Sequence, residues 1–217
     1  MNITAVLINR NLLTWPKAMV EKIQTYENLA EIIIIDNEST YEPLLDWYAT
    51  SPARILRIPN VGHVAPWIPE LNAQIKTDFY VVSDPDLDLS DTPTDTMRFL
   101  ADCLVRYKHL EKIGLGLDIR SVPEASPYFA HVNNHEKKMW ALPLLDGILR
   151  RAPVDTTFAI YNKNIMNSYK ITGARTDYPY VAKHIPWAVV DRSEEFDYYI
   201  QSANKSSSYK TFLKLCN

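Results

Sequence analysis

Three aspartates at alternate positions, Asp84, Asp86 and Asp88, follow an apolar run in the segment "VVSDPDLDLS". Side chains alternate along an extended segment, so these three carboxylates are expected on one side of it. Carboxylate oxygens are hard ligands that suit Mg²⁺, Mn²⁺ or Ca²⁺, and Mg²⁺-type ions are usually held by one or two carboxylates together with substrate phosphates. The spacing therefore predicts a divalent cation that binds a phosphate ester and stabilises the charge on its leaving group.

Three further roles for these acids fit the surrounding sequence to different degrees. An EF-hand calcium loop counted from Asp84 requires Gly at its sixth position and usually Glu at its twelfth, where this chain has Leu89 and Asp95. A phosphohydrolase with an aspartate nucleophile also carries Asp-x-Asp after a strand, and a solvated acidic turn that caps the next helix requires only one acid. The EF-hand is set aside, whereas the phosphohydrolase and the acidic turn stay open.

The elements around the acids alternate between apolar strands and helical periodicity. The predicted strands cover residues 3–9, 31–36, 54–59 and 78–84, and the predicted helices begin at Pro16, cover 42–49 and 67–76, and begin again at Pro93. Near-continuous apolar runs such as "EIIIID" are typical of parallel strands that are buried on both faces. The pattern predicts an α/β fold with an open, mostly parallel central sheet and helices on both faces.

The second half of the chain is less regular. It contains predicted strands at residues 112–119 and 154–162, a helix in "NNHEKKMWALPLLDG" that breaks near Pro143, and a last helix with Ser193 as its N-cap. The sequence contains neither G-x-G-x-x-G after the first strand nor G-x-x-x-x-G-K-[ST], so it lacks the phosphate cradles of dinucleotide-binding and P-loop proteins. With 217 residues, the chain has the size of one α/β domain.

Composition excludes several classes of function. The 23 basic and 26 acidic residues leave a net charge of -3, which gives no electrostatic footprint for nucleic acid. The longest apolar runs are far shorter than the roughly 18 residues that cross a bilayer, so no membrane span is expected. Cys103 and Cys216 suggest neither a disulfide framework nor a cysteine metal site. A cytoplasmic protein with a small or locally recognised partner is expected.

Ligands of open α/β sheets bind beyond the carboxyl ends of the strands, where loops and helix N-termini converge. Polar residues follow each of the first three predicted strands, before the acids that follow the fourth. They are Asn9, Arg10 and Asn11, then Asp36, Asn37 and Ser39, then Asn60, Gly62 and His63. These residues are the first candidates for a binding site.

In order and spacing, these segments resemble the GT-A glycosyltransferases, including a small bacterial and viral branch of that family. The resemblance is carried by "ITAVLINRN", "IIIIDNES", "FYVVSDPDLDLSDTP", "VDTTFAIYNK" and "HIPW". It implies a single GT-A domain over residues 1–217, with a nucleotide-binding half over about 1–110 and an acceptor half over about 111–217. The chain is also similar to the N-terminal domain of a multidomain glycosyltransferase from a large chlorella virus, which implies further domains in a longer parent chain and a location in the host cytoplasm.

The resemblance implies a UDP-sugar donor, a Mn²⁺ or Mg²⁺ cofactor, and a glycan or glycoconjugate acceptor. It assigns Asp86 as the direct metal ligand, with Asp84 near the ribose and the metal, Asp88 as an additional acid, and His184 as a late metal ligand or phosphate contact. The implied donor-binding residues are Asn9, Arg10, Asp36, Asn37, Gly62, His63, Asp84, Arg175 and Lys183. Among them, Asp36 is expected at the uracil or ribose. The positive charges of Arg175 and Lys183 make them candidates to neutralise the diphosphate, and the alternative for each is a solvated charge.

The catalytic residues are predicted less directly. An inverting transferase requires a carboxylate base on the acceptor side. Asp155 is the first candidate for a catalytic contact with the acceptor or the donor sugar and Asp118 the second, and the alternative for both is a strand-end cap. The sequence does not decide between inversion and retention. Two alternatives to a transferase stay open, namely a metal-dependent phosphohydrolase or nucleotidyltransferase, and a nucleotide- or carbohydrate-binding module without turnover.

Overall fold

The computed structural model describes residues 1–165, 172–188 and 193–203. Its strands are β1 (Ile3–Asn9), β2 (Leu29–Asn37), β3 (Arg54–Ile58), β4 (Phe79–Ser83), β5 (Leu87–Asp88), β6 (Lys112–Gly114), β7 (Gly116–Leu117), β8 (Leu144–Leu145), β9 (Leu149–Arg150), β10 (Ala159–Asn162), β11 (Ala174–Thr176) and β12 (Val181–His184). Its α-helices are α1 (Thr14–Ile23), α2 (Glu42–Tyr48), α3 (Pro69–Asn72), α4 (Thr96–Arg106), α5 (Phe129–Trp140), α6 (Ile185–Ala188) and α7 (Glu194–Ser202). A 3₁₀-helix covers Gly62–Trp67.

Within these described residues, nine strands form one sheet in the order β3-β2-β1-β4-β10-β6-β11-β9-β8, and β5, β12 and β7 form a smaller one. Strands β1 to β4 are parallel to one another, and β11 is parallel to β6. Strand β10 is antiparallel to both β4 and β6. The carboxyl ends of β1 to β4, β6 and β11 therefore share one edge with the amino end of β10. The predicted open α/β sheet is confirmed, and its second half is mixed rather than parallel.

The continuous apolar run of β1 arises because both faces of the strand are covered. Ala5 and Leu7 belong to the core cluster that contains α1 and α4, whereas Val6 and Ile8 belong to the cluster on the opposite face. All seven residues of β1 are buried. Burial of one such side chain contributes about 1.5–3 kcal/mol relative to exposure, so the register of this central strand is strongly fixed.

Several predicted elements are shorter in the structure. The predicted helix at 67–76 is reduced to α3, which begins at Pro69 after a 3₁₀-helix that contains Pro66, and α4 begins at Thr96 rather than at Pro93. The predicted strand at 112–119 is interrupted at Leu115, whose N–H donates to the carbonyl of Thr157 (3.1 Å). That hydrogen bond connects the end of β6 to the loop before β10. The strand predicted over 154–162 is regular only from Ala159, where β10 begins.

The last described helix lies against the first one. Ser193 is its N-cap, as predicted, and its hydroxyl oxygen accepts from the N–H of Phe196 (3.1 Å). Glu195 accepts from the N–H groups of Leu13 (2.7 Å) and Thr14 (3.0 Å) at the start of α1. These contacts hold α7 beside the carboxyl end of β1. No helix in the described part of the chain is long and apolar enough to cross a membrane.

Both cysteines were expected to play no part in a metal site or a disulfide. Cys103 is buried in α4 and packs in the larger core cluster. Cys216 lies outside the described residues.

Candidate functional site

A cleft of about 470 Å³ lies at the shared edge of the sheet. It is formed by the ends of β1 and β2, the loop after β3, the segment after β4, the loop before β10, and parts of β11, β12, α5 and α7. Its polar and aromatic lining residues are Asn9, Arg10, Asn37, Asn60, His63, Asp84, Asp86, His135, Glu136, Asp155, Thr156, Thr157, Arg175, His184, Trp187 and Tyr199. The cleft therefore collects most of the residues predicted from sequence, Gly62 included.

Asp84 and Asp86 line the middle of this cleft, directly after β4. The N–H of Asp84 donates to the carbonyl of Thr156 (2.8 Å), and the Asp84 carboxylate accepts from the Thr156 hydroxyl. Burial and the neighbouring charge of Asp86 raise the pKa of Asp84 well above its ordinary value. A cation bound at these carboxylates would offset both the burial and the repulsion that raise this pKa.

His184 reaches the same point from β12. Its Nε2 lies 3.5 Å from Oδ2 of Asp86, and its ring lies 4.6 Å from the ring of Trp187, centroid to centroid. Burial lowers the pKa of His184, although the charge of Asp86 opposes this, and the neutral imidazole is the form that binds metals. Its Nδ1 is buried and has no hydrogen-bond partner in the described part of the chain.

A cation at this point would have few protein ligands. The residues that the structure describes contain no group of three or more His, Cys, Asp or Glu side chains placed to hold a metal ion. Asp86 and His184, whose Oδ2 and Nε2 lie 3.5 Å apart, nevertheless supply a carboxylate and an imidazole at one point of the cleft, and Asp84 lines the same cleft. This donor set fits a Mg²⁺- or Mn²⁺-type ion that completes its coordination with water and phosphate oxygens.

At one end of the cleft lie Asn9 and Arg10, at the carboxyl end of β1. The Asn9 amide nitrogen donates to the carbonyl of Leu12 (2.8 Å) and to the hydroxyl of Tyr48 (3.0 Å), so the orientation of the amide is fixed. The Arg10 guanidinium donates to the carbonyls of Asn37 (3.0 Å) and Ser202 (3.3 Å). These contacts hold a cation and an amide at the wall that β1 and β2 share.

The loop after β3 closes this end. Oδ1 of Asn37 accepts from the N–H of Val61 (3.1 Å), and Oδ1 of Asn60 accepts from the N–H of Gly62 (3.1 Å). Gly62 has φ of +72°, a conformation that L side chains rarely adopt, so glycine is required by the backbone here. His63 follows as an exposed residue of the cleft wall.

The opposite end of the cleft contains Asp155, Arg175 and Glu136. Asp155 is exposed, and its carboxylate accepts from the N–H of Thr156 (2.9 Å). Arg175 is buried in β11, where it forms an ion pair with Glu136 of α5 and donates through Nε to the carbonyl of Pro153 (2.6 Å). The pair is net neutral, so Arg175 does not present an unpaired positive charge to a diphosphate.

Four residues predicted for the site do not line the cleft, and Asp36 is the first. Its side chain is fully buried at the end of β2. Its carboxylate accepts from the Ser39 hydroxyl, the Ser39 N–H (3.2 Å), the Tyr48 hydroxyl (3.1 Å) and the Arg57 Nε (3.2 Å). The protein itself uses the hydrogen-bonding capacity that the prediction assigned to a uracil or ribose.

Asp88 and Lys183 face each other across the β5–β12 pair, away from the cleft. Lys183 lies 2.5 Å from Asp91 and 3.6 Å from Asp88. Burial of Asp88 opposes its ionisation, but hydrogen bonds from Ser90 and the charge of Lys183 hold its pKa below the ordinary value. Strand β5 begins only at Leu87, so the one-sided arrangement expected for the three acids does not extend from Asp86 to Asp88.

Asp118 is likewise outside the cleft lining. Its carboxylate accepts from the Arg120 N–H (2.8 Å) and Nε (3.3 Å). Burial opposes its ionisation, yet hydrogen bonds from Tyr178 and Arg120 keep the pKa of Asp118 below its ordinary value. An acid that is stabilised in its charged form is poorly suited to abstract a proton.

Sequence reasoning missed Thr156, Thr157, His135, Glu136 and Tyr199 as lining residues. Thr156 and Thr157 directly follow Asp155, so their place beside the site was available from the sequence. Glu136 lies in a helix whose neighbouring residues are also polar or charged, and no sequence signal separates it from a solvated helix face. Only the packing of α5 against β11 identifies it.

Solved structures with the same architecture were found, although no family model and no curated protein match the chain. The mannosyltransferase PcManGT from Pyrobaculum calidifontis, solved with GDP-Man and Mn²⁺, has 13% identity and a TM-score of 0.54 over 98% of this chain and 68% of that one. The chain has the GT-A fold. This agrees with the fold expected from the sequence resemblance.

Two further solved structures are less similar. Glucosyl-3-phosphoglycerate synthase from Mycobacterium tuberculosis, in complex with Mn²⁺, UDP-Glc and phosphoglyceric acid, has 16% identity and a TM-score of 0.49 over 75% of this chain and 57% of that one. Residues 1–349 of TarS from S. aureus have 14% identity and a TM-score of 0.45 over 75% of this chain and 47% of that one. The chain thus spans about half the length of these two proteins.

Proposed function

We propose that this chain is a metal-dependent glycosyltransferase that transfers a sugar from a UDP-sugar to a hydroxyl of a glycan or glycoconjugate. The observation that carries the proposal is the close approach of His184 to Asp86 (3.5 Å) in a cleft that Asp84 also lines, at the carboxyl edge of a GT-A sheet. PcManGT, which shares the fold, is described with GDP-Man and Mn²⁺, so both a nucleotide sugar and this ion suit the architecture.

In this proposal, Asp86, Asp84 and His184 hold Mn²⁺ or Mg²⁺. When bound, the ion supplies positive charge that stabilises the departing nucleoside diphosphate. Asn9, Arg10, Asn37 and the loop from Asn60 to His63 form the wall for the nucleoside, because they line the end of the cleft at β1 and β2. The fixed amide of Asn9 and the backbone of Gly62 limit how the base and ribose are oriented.

Asp155 is the proposed base for an acceptor hydroxyl. It is an exposed residue of the cleft, and the adjoining Thr156 is hydrogen-bonded to Asp84. The base is therefore held near the proposed metal site, on a loop that is fixed at its next residue. An acceptor hydroxyl that approaches Asp155 loses its proton to the carboxylate as its oxygen attacks the sugar.

The same proposal includes the wider expectations from the sequence. A single domain with a nucleotide-binding half over about residues 1–110 and an acceptor half over about 111–217 is consistent with the division of the cleft. The viral branch and the further domains of a parent chain follow from the sequence resemblance, and the cytoplasmic location follows from the composition as well.

Calorimetry with UDP, GDP and CMP, in the presence and absence of Mn²⁺, tests the proposal. We expect UDP to bind most tightly and only with Mn²⁺, and Asp86→Ala to weaken that binding by about 100-fold, since it removes a direct ligand. Asp88→Ala is the matched control, because Asp88 belongs to the same segment but does not line the cleft. UDP release from a panel of UDP-sugars then measures turnover with the same variants.

Three outcomes would contradict the proposal in different ways. UDP binding that is independent of both Mn²⁺ and Asp86 would overturn the metal site. Binding without turnover on any donor and acceptor pair would favour a binding module. Release of inorganic phosphate without transfer of a sugar would favour a phosphohydrolase.

A further inference from the structure

The ion pair between Glu136 and Arg175 is the only part of the described cleft wall where two oppositely charged side chains are both almost fully buried. Glu136 is 5% exposed and Arg175 is 8% exposed. Arg175 uses Nη1 for Glu136 and Nε for the carbonyl of Pro153, and Glu136 uses Oε2 for Arg175. Both residues are thus fixed in place by contacts within the protein.

Each partner also keeps one polar atom unused. Oε1 of Glu136 and Nη2 of Arg175 have no hydrogen-bond partner among the described residues. Neither atom is fully buried, and both residues line the cleft. The pair therefore offers an acceptor and a donor to a molecule in the cleft.

This combination matches a hydroxyl group better than a phosphate. A hydroxyl both donates and accepts hydrogen bonds, whereas a phosphate only accepts them and carries negative charge. The carboxylate of Glu136 offsets the charge of Arg175, and Asp155 adds a further negative charge to the same end of the cleft. An uncharged, hydroxyl-bearing group is favoured there, and an acidic group is repelled.

The order of strands places the pair on the side of the metal site that is away from the proposed nucleoside wall. Arg175 belongs to β11, which is separated from β1 by β4, β10 and β6. Asp84 and Asp86 follow β4, between these two ends. Glu136 and Arg175 line the same cleft as Asp84, Asp86 and His184. A sugar attached to a diphosphate at Asp84 and Asp86 would extend toward the pair.

We propose that Glu136 and Arg175 bind hydroxyl groups of the transferred sugar and select an uncharged hexose or deoxyhexose over a uronic acid. The inference rests on the proposed function, because the direction of the donor in the cleft follows from it. In this role Glu136 and Arg175 determine specificity and leave the binding of the nucleotide portion unchanged.

The test compares UDP with UDP-sugars on the wild-type chain and on Glu136→Gln, by calorimetry in Mn²⁺. We expect Glu136→Gln to leave the Kd for UDP within about twofold and to weaken the best uncharged UDP-hexose by about 10-fold or more, the effect of one hydrogen bond to a charged group. The same variant should bind UDP-glucuronic acid more tightly than the wild type does, because Arg175 is no longer neutralised. Glu124→Gln is the matched control, since Glu124 is exposed and does not line the cleft.

A second measurement requires no variant and so does not depend on how well Glu136→Gln folds. UDP-hexoses that lack one hydroxyl at a time are bound to the wild-type chain, and at least one of them should lose about 10-fold or more in affinity, because a buried site built for a hydroxyl rejects an analogue without it. Equal affinity for every deoxy sugar would overturn the inference.

The outcomes separate the inference from the proposed function. A wild-type chain that binds no nucleotide in Mn²⁺ would contradict the proposed function itself. A chain that binds UDP, but whose affinities for UDP, UDP-hexoses and UDP-glucuronic acid change equally in Glu136→Gln, would contradict only the role of Glu136 and Arg175.

Discussion

Asp36 and Asp86 are both acids that follow a parallel strand at the same edge of the sheet, yet the structure uses them differently. Asp36 is fully buried, and its carboxylate accepts hydrogen bonds from Ser39, Tyr48 and Arg57. Asp86 is 8% exposed and lines the cleft, with Nε2 of His184 3.5 Å from its Oδ2. An acid at a strand end is therefore available to a ligand only where the neighbouring elements leave its oxygens facing a cavity.

The burial of Asp36 depends on the helix that follows β2. Helix α2 brings Tyr48 over Asp36, and burial together with the charge of Asp36 raises the pKa of Tyr48 above its ordinary value. The Tyr48 hydroxyl donates to Asp36 and accepts from the amide of Asn9, which does line the cleft. Asp36 thus influences the cleft indirectly, by fixing Tyr48 and through it the orientation of Asn9.

The largest expected effect is on stability at Asp36. We expect Asp36→Ala to lower the free energy of unfolding by about 2–4 kcal/mol, because it leaves the buried polar groups of Ser39 and Tyr48 without their acceptor. Asp86→Ala should change the same quantity by less than about 1 kcal/mol, because removing its charge also relieves the repulsion that helps to raise the pKa of Asp84. Urea unfolding without divalent cations measures both variants. Equal losses would show that the two acids do not differ in the way the structure indicates.

An intermediate effect is expected at Asp84, and it depends on pH. A carboxyl whose pKa is raised on folding contributes stability below its ordinary pKa, and this contribution is lost as the pH rises through the raised value. At neutral pH without a cation, Asp84→Asn should therefore increase the free energy of unfolding, on the order of 1 kcal/mol, because it removes the cost of burying a carboxylate and its repulsion with Asp86. The gain should disappear below about pH 3, where Asp84 is protonated in both the folded and the unfolded state.

Mn²⁺ provides the control for that variant. The ion should stabilise the wild-type chain against urea and stabilise Asp84→Asn much less, since it binds the folded state through the charged pair. Thermal unfolding with and without Mn²⁺ at pH 7 gives the comparison. The difference in the free energy of unfolding between Asp84→Asn and the wild-type chain should depend on pH. An equal difference in acid and at pH 7 would contradict the raised pKa.

The sequence predicts the fold better than it predicts the details of the site, for physical reasons that particular residues illustrate. Buried strands such as β1 and β2 can be recognised in the sequence because both of their faces are apolar over a continuous run. Since the carboxyl ends of parallel strands share one edge of the sheet, Asn9, Asn37 and Asp84 are then expected to be neighbours. It cannot show that Tyr48 covers Asp36, because that depends on how α2 packs. Glu136 is equally hidden, since one buried acid in a helix rich in polar residues carries no periodic signal.

The smallest expected effect is at Lys183, which sequence reasoning assigned to the diphosphate. Successive residues of a strand point to opposite faces, so His184 reaches the cleft while Lys183 pairs with Asp91 and Asp88 on the other side. These side chains are between 36% and 73% exposed, and such pairs contribute at most about 1 kcal/mol. Lys183→Ala should therefore cost less than about 1 kcal/mol in urea unfolding, an effect that salt reduces, and leave the Kd for UDP in Mn²⁺ within about twofold.

Arg10→Ala is the informative comparison, because Arg10 does line the cleft. This variant should weaken UDP binding by about 10-fold, as expected for the loss of one charged hydrogen-bond donor. If Lys183→Ala weakened UDP as much as Arg10→Ala, the diphosphate would lie on the β5–β12 face, and the distinction between cleft and surface charges would fail.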